Sequence, residues 1–116
     1  SEVIFNKINR ALAFVADISF VNDKEEGNKF KGLPNANVMI EYGYAAAVLG
    51  EENIITVFNR ATGNVEDIPF DIKQNRMMFY DYDISMEDHI KIQEKKKLTS
   101  NLSKAIEDIC RNRLGM

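Results

Sequence analysis

The run AFVADISFV at residues 13–21 is the strongest constraint on what this chain can fold into. A strand with one wet face alternates apolar and polar side chains. This run is apolar almost throughout and rich in β-branched and aromatic residues, so it needs cover on both faces, as in a parallel sheet held between helical layers. Two further runs read as strands of the same sheet, NIITVFN at 53–59 and MMFYDY at 77–82.

The segments between them carry helical spacing. Residues 2–12 place Val3, Ile4, Ile8 and Ala11 on one face, with Lys7 and Arg10 facing away. Residues 37–50 (NVMIEYGYAAAVLG) put Val38, Tyr42, Ala45, Ala46 and Leu49 together, with Gly50 as a left-handed stop and either Asn35 or Asn37 as the N-cap. SMED at 85–88 has a capping-box pattern. It opens a long helix with the stripe Ile90, Leu98, Leu102, Ile106, Ile109 and Cys110, and Thr99-Ser100 is the candidate break point. The lysine run at 95–97 reads as a solvated helix face. Segment 22–34 is a long polar loop and 60–75 an irregular connection.

The order helix, strand, helix, strand, connection, strand, helix predicts an α/β domain with a parallel sheet, one domain over residues 1–116. A doubly wound domain ordinarily opens on a strand followed by a helix. Here the chain opens on a helix without an initiator methionine, so the expected domain is N-terminally incomplete, or a partner chain covers the open sheet edge.

Composition narrows the chemistry. One cysteine, Cys110, excludes an intramolecular disulfide framework and a Cys-rich zinc site, and one histidine, His89, disfavours histidine-based constellations. No metal and no cofactor are therefore expected. Fifteen basic against eighteen acidic residues, with the basic ones dispersed, argue against a nucleic-acid surface. No apolar stretch approaches the roughly 18 residues that span a bilayer, and no leader-like pattern opens the chain, so the expectation is a cytoplasmic protein without a membrane partner. The dinucleotide pattern GxGxxG and the Walker lysine motif are absent.

In open parallel sheets a ligand lies beyond the carboxyl ends of the strands. Three groups should meet there: Asp17 with the 22–34 loop, the helix start at 35–41, and the connection at 59–71. Asp17 ends an otherwise apolar strand, and a carboxylate buried there needs a partner. Glu41 lies in the first turns of its helix, where an acid also serves simply to complement the helix dipole. Asn35 and Asn37 cap the helix, or cap it and also offer amides to ligand hydroxyls. Asp67, Pro69 and Asp71 shape a turn with Arg76 as ion-pair partner. Tyr42 and Tyr44 read as packing residues, His89 as a surface residue and Cys110 as a core thiol.

Taken together, FVADISF at 14–20, PNANVMIEYGYA at 34–45, IITVFN at 54–59 and DIPFD at 67–71 resemble the TIR-like and nucleoside 2-deoxyribosyltransferase-like group of α/β domains. The most specific element is the NxNVxxExGxA pattern behind the "ADIS" strand. The resemblance implies a flavodoxin-like (Rossmannoid) three-layer fold lacking its first strand–helix unit. It further implies a nucleotide-binding domain, an N-glycosidase that cleaves NAD or a nucleoside phosphate, or alternatively a non-catalytic nucleotide-sensing or self-assembly module. Glu41 takes the role of catalytic carboxylate by that resemblance, with Asp17, Asn35, Asn37 and Asp71 as substrate contacts. Gly43 and Ala45 become the small residues of close helix–sheet packing. The implied partners are a small-molecule nucleotide and further copies of the chain.

Overall fold

The computed structural model describes residues 2–21, 32–68, 72 and 76–116. Asp71, Pro69 and most of the 22–34 loop lie outside the described residues. The elements are α1 (Glu2–Arg10), β1 (Phe14–Asp17), α2 (Ala36–Leu49), β2 (Ile54–Asn59), β3 (Met77–Tyr80) and α3 (Asp88–Leu114), with short 3-10 turns at Glu51–Asn53, Arg60–Thr62 and Val65–Asp67. The three strands form a parallel sheet in the order β1-β2-β3, with Phe14 opposite Ile54 and Thr56 opposite Met77. Helices flank this sheet on both faces, an α/β architecture compatible with a flavodoxin-like fold. Among the described residues no helix is long and apolar enough to cross a membrane.

Strand alternation sorts the core into layers. Ile54 packs with Ile8, Ala45 and Leu49, and Phe58 packs with Ala16, Ile18 and Phe20, so this face of the sheet meets α1 and α2. Ile55 and Val57 point the other way, toward Ile109, Leu98, Leu102 and Ala105 of α3. Every residue of β2 is buried, as a central strand covered on both faces requires.

The ends of the elements show where side chains override the apolar pattern. The ladder of β1 stops at Asp17 although the apolar run continues, because Ser19 donates from both its backbone N–H (3.0 Å) and its hydroxyl (2.6 Å) to Asp17 Oδ1. This turn swings the chain out of the ladder while Ile18 and Phe20 remain buried. β3 likewise stops at Tyr80, since the next amides bond to side chains: Asp81 N–H to Glu94 Oε1 and Tyr82 N–H to Asn59 Oδ1, each at 3.0 Å.

Asn35 is the N-cap of α2, its Oδ1 accepting from the N–H groups of Asn37 (2.8 Å) and Val38 (3.3 Å). Gly50 ends the helix with φ +85° and ψ 144°, a backbone that favours glycine, although its ψ lies outside the left-handed helical region expected of the stop. Ala45 is fully buried, in keeping with close packing, but Gly43 is exposed and a Cβ there would meet nothing within 4 Å. Gly43 is thus not a packing contact.

The long C-terminal helix begins at Asp88 rather than at Ser85 and runs unbroken through Thr99 and Ser100. The capping box does not form, because the Ser85 hydroxyl and N–H turn back onto Asp83. Its buried seam is Leu98, Leu102, Ala105 and Ile109, while Ile90 and Ile106 of the expected stripe stay exposed. Arg76 donates to the Glu52 carbonyl (2.9 Å) and pairs with Asp108 of α3 (3.3 Å); the Pro69 and Asp71 of its expected turn lie outside the described residues.

Candidate functional site

Two constellations stand at the carboxyl half of the sheet, one on each face. The first gathers around Asp17. Odd positions of β1 face away from α2, so Asp17 lies on the α3 face, where it accepts a 2.9 Å hydrogen bond from the Tyr80 hydroxyl. With the two bonds from Ser19, three neutral donors serve this one carboxylate. The Ser19 hydroxyl in turn accepts from Asn59 N–H at 2.8 Å. Asp17 is exposed, not buried as the apolar run suggested.

Asn59 joins the ends of β2 and β3. Its side-chain oxygen accepts from Ala61 N–H (3.1 Å) and Tyr82 N–H (3.0 Å), and its amide donates to the Tyr82 carbonyl (2.8 Å). Thr62 continues the network, its hydroxyl donating to the Asn59 carbonyl (2.7 Å) and accepting from Phe20 N–H (3.0 Å). Burial, followed by the neighbouring Asp17 carboxylate, raises the pKa of the Tyr80 phenol, while the Ser19 contact opposes the shift. Tyr80 is therefore a protonated donor at neutral pH. Outside this ring Arg60 grips Asp81 with two bonds (2.9 and 2.5 Å) and holds its carboxyl below the usual range.

The second constellation is built on α2. Asn37 and Glu41 are four residues apart and share one flank, which faces α1 rather than the sheet. Together with Phe5 and Ile40 they line a cavity of about 230 Å³. Phe5 also stacks on Tyr44, with ring centroids 4.5 Å apart, and the Tyr44 hydroxyl donates to Asn9 Oδ1 at 2.7 Å. These contacts hold one wall in place. Glu41 is half-buried, and its carboxylate has no hydrogen-bond or ion-pair partner among the described residues.

The sheet thus separates residues that the sequence pattern placed together. Glu41 and Asn37 share the α1–α2 cavity, whereas Asp17 belongs to the α3 face and orients Tyr80 and Ser19 instead of Glu41. Asn35 spends its oxygen on capping. Asp71 lies outside the described residues. Ser19, Asn59, Thr62 and Tyr80 carry the strand-end network and were missed in the sequence, where their only trace is polar atoms closing apolar runs. Among the described residues no group of three or more histidine, cysteine or acidic side chains is placed to hold a metal ion.

Compared with known proteins, the chain finds no match among family models, curated proteins or solved structures.

Proposed function

We propose that the α1–α2 cavity receives the ribose of a nucleotide and that Glu41 acts on its anomeric carbon, making the protein an N-glycosidase of the TIR-like and deoxyribosyltransferase-like type. The observation that carries this reading is the Glu41 carboxylate itself, half-buried in a cavity beside the Asn37 amide with no partner among the described residues. A carboxylate left without a protein partner beside a side-chain amide has its acceptor sites open to the hydroxyls of a sugar. At about 230 Å³ the cavity falls below the roughly 300 Å³ at which drug-sized pockets begin, so it takes the sugar while base and phosphates lie outside.

The chemistry suits one carboxylate. As the bond from the anomeric carbon to the base nitrogen breaks, its electron pair moves onto the nitrogen and positive charge develops on the ribose ring. A Glu41 oxygen beneath that carbon stabilises the charge or bonds to it, and water then adds to the carbon and releases a proton. Asn37 donates its amide to a ribose hydroxyl. Among the described residues the cavity offers no second titratable group to protonate a departing base. NAD meets that condition, because its pyridinium nitrogen is already cationic and leaves as neutral nicotinamide.

The same observation favours a second reading for ordinary nucleoside phosphates, binding without turnover, since their bases depart poorly without an acid. The test is incubation with NAD and separately with deoxynucleotides, followed by chromatography for free base. Release of nicotinamide by the parent protein and not by Glu41→Gln is the expected result. Equal background from both proteins overturns the enzyme reading, and calorimetric titration with the same ligands then decides for or against recognition alone.

A further inference from the structure

The α3 face carries a second cavity that the Glu41 reading leaves unused. It has a volume of about 380 Å³ and lies between the end of β3 and the first turns of α3, lined by Tyr80, Tyr82, Lys91, Ile92, Glu94, Lys95 and Leu98. We propose that this cavity binds a small aryl phosphate, the ring between the two tyrosines and the α3 side chains, the dianion between Lys91 and Lys95.

The walls are fixed before any ligand arrives. The Tyr80 hydroxyl is tied to Asp17 at 2.9 Å, and the Tyr82 backbone is tied to the Asn59 side chain by two bonds of 3.0 and 2.8 Å. The Asp81 N–H bond to Glu94 Oε1 at 3.0 Å fastens the strand end to α3 itself. A pocket held in this way loses little freedom on binding, which favours affinity from few contacts. Its volume falls inside the range of small-molecule sites, and Tyr80, Ile92 and Leu98 in its lining offer apolar area to a flat ring.

Charge selects the other half of the ligand. Lys91 and Lys95 are four residues apart on one face of α3. Lys95 has no ion-pair partner among the described residues, and Lys91 stands over the Tyr82 ring with its ammonium 5.6 Å from the centroid. Glu94, the acid of the lining, is occupied: one oxygen accepts from Asp81 N–H and the other pairs with Lys97 at 3.2 Å. Asp83 feels the charge of Lys91, but its carboxylate is engaged by Ser85. Two ammonium groups in a lining that also holds two tyrosines match a ring that carries two negative charges.

The proposal stands independently of Glu41. Protein-observed NMR titration of the full chain with phenyl phosphate is the test, with phenol and inorganic phosphate as half-ligand controls. Saturable shifts on Tyr80, Tyr82 and the first turns of α3 are expected, with each half-ligand weaker by about tenfold or more. Replacing Lys91 and Lys95 together by alanine should weaken phenyl phosphate by a similar factor. Lys104→Ala, more than three turns along α3, and Glu41→Gln should leave it unchanged. Absence of saturable binding, shifts centred on the α1–α2 cavity, or undiminished affinity in a folded double variant overturns the proposal. A phosphotyrosyl peptide that binds more tightly than phenyl phosphate overturns the small-molecule assignment in favour of a peptide.

Discussion

On the α3 side of the sheet the Asp17 carboxylate accepts three hydrogen bonds from neutral donors, and Asn59 closes a ring of backbone and side-chain bonds across two strand ends. On the α1–α2 side the Glu41 carboxylate has no partner among the described residues and lines a cavity with Asn37 and Phe5. Both acids end or flank apolar segments, and the pattern around them is similar. What separates them is whether the fold already satisfies the group. A satisfied carboxylate holds structure together; one without a protein partner leaves its oxygens open to solvent, which is where the proposal places a sugar.

That contrast sets the expected consequences of substitution. The largest effect belongs to Glu41→Gln, which should lower nicotinamide release by at least about 100-fold, equivalent to about 2.7 kcal/mol of activation free energy. Its unfolding midpoint should stay within about 0.5 kcal/mol of the parent, because no partner is lost. A large loss of stability together with activity would place Glu41 on the structural side of the comparison.

Asn59→Ala should do the reverse. It removes two acceptor contacts and one donor contact from a residue only 8% exposed, so denaturant unfolding should show a loss of about 2–3 kcal/mol, with activity per folded molecule retained. Tyr80→Phe removes the hydroxyl bond to Asp17 together with the longer 3.4 Å contact with the Ser19 hydroxyl, and should cost about 1 kcal/mol at neutral pH.

Tyr80 also supplies a pH signature. Its pKa in the folded state is raised above 10.0, so the folded protein holds the proton that the unfolded chain gives up first. This contribution is fully present below pH 10 and is lost as pH rises through the raised value. The parent should therefore lose stability more steeply above pH 10 than Tyr80→Phe does, and parallel curves would show that the hydroxyl is not coupled to folding.

The smallest effect is a gain. Thr56 sits in the middle of β2 at 3% exposure, its hydroxyl without a partner among the described residues, on the strand face shared with Ile54 and Phe58. Thr56→Val keeps the shape and removes an unsatisfied group, so thermal or denaturant unfolding should show stabilisation of up to about 1 kcal/mol. A loss instead would mean that the hydroxyl has a partner role on the α1–α2 side.

Much of the architecture was legible in the chain because it depends on short-range periodicity. Strands at 54–59 and 77–80, the capped helix over 36–49 and the long terminal helix each follow from apolar spacing within a dozen residues. At the start of the capped helix the sequence offered Asn35 or Asn37, and the Asn35 side chain takes the role. Where a side chain from elsewhere ended an element, as Asn59 and Glu94 do for β3, the apolar run overstated its length. The Ser85 capping pattern misled for the same reason, since Asp83 competes for the serine.

The candidate site divides along that line. The sequence by itself determined a parallel α/β sheet, the helix carrying Asn37 and Glu41, and an acid at the end of the first strand, because each is local. Only the tertiary structure decided that Asp17 and Glu41 lie on opposite faces of that sheet. Strand alternation turns Asp17 toward Tyr80 and α3, and the rotation of α2 turns Glu41 toward Phe5 and α1. Two residues that look like one site in the chain are thereby kept apart by a strand's period of two and a helix's period of 3.6.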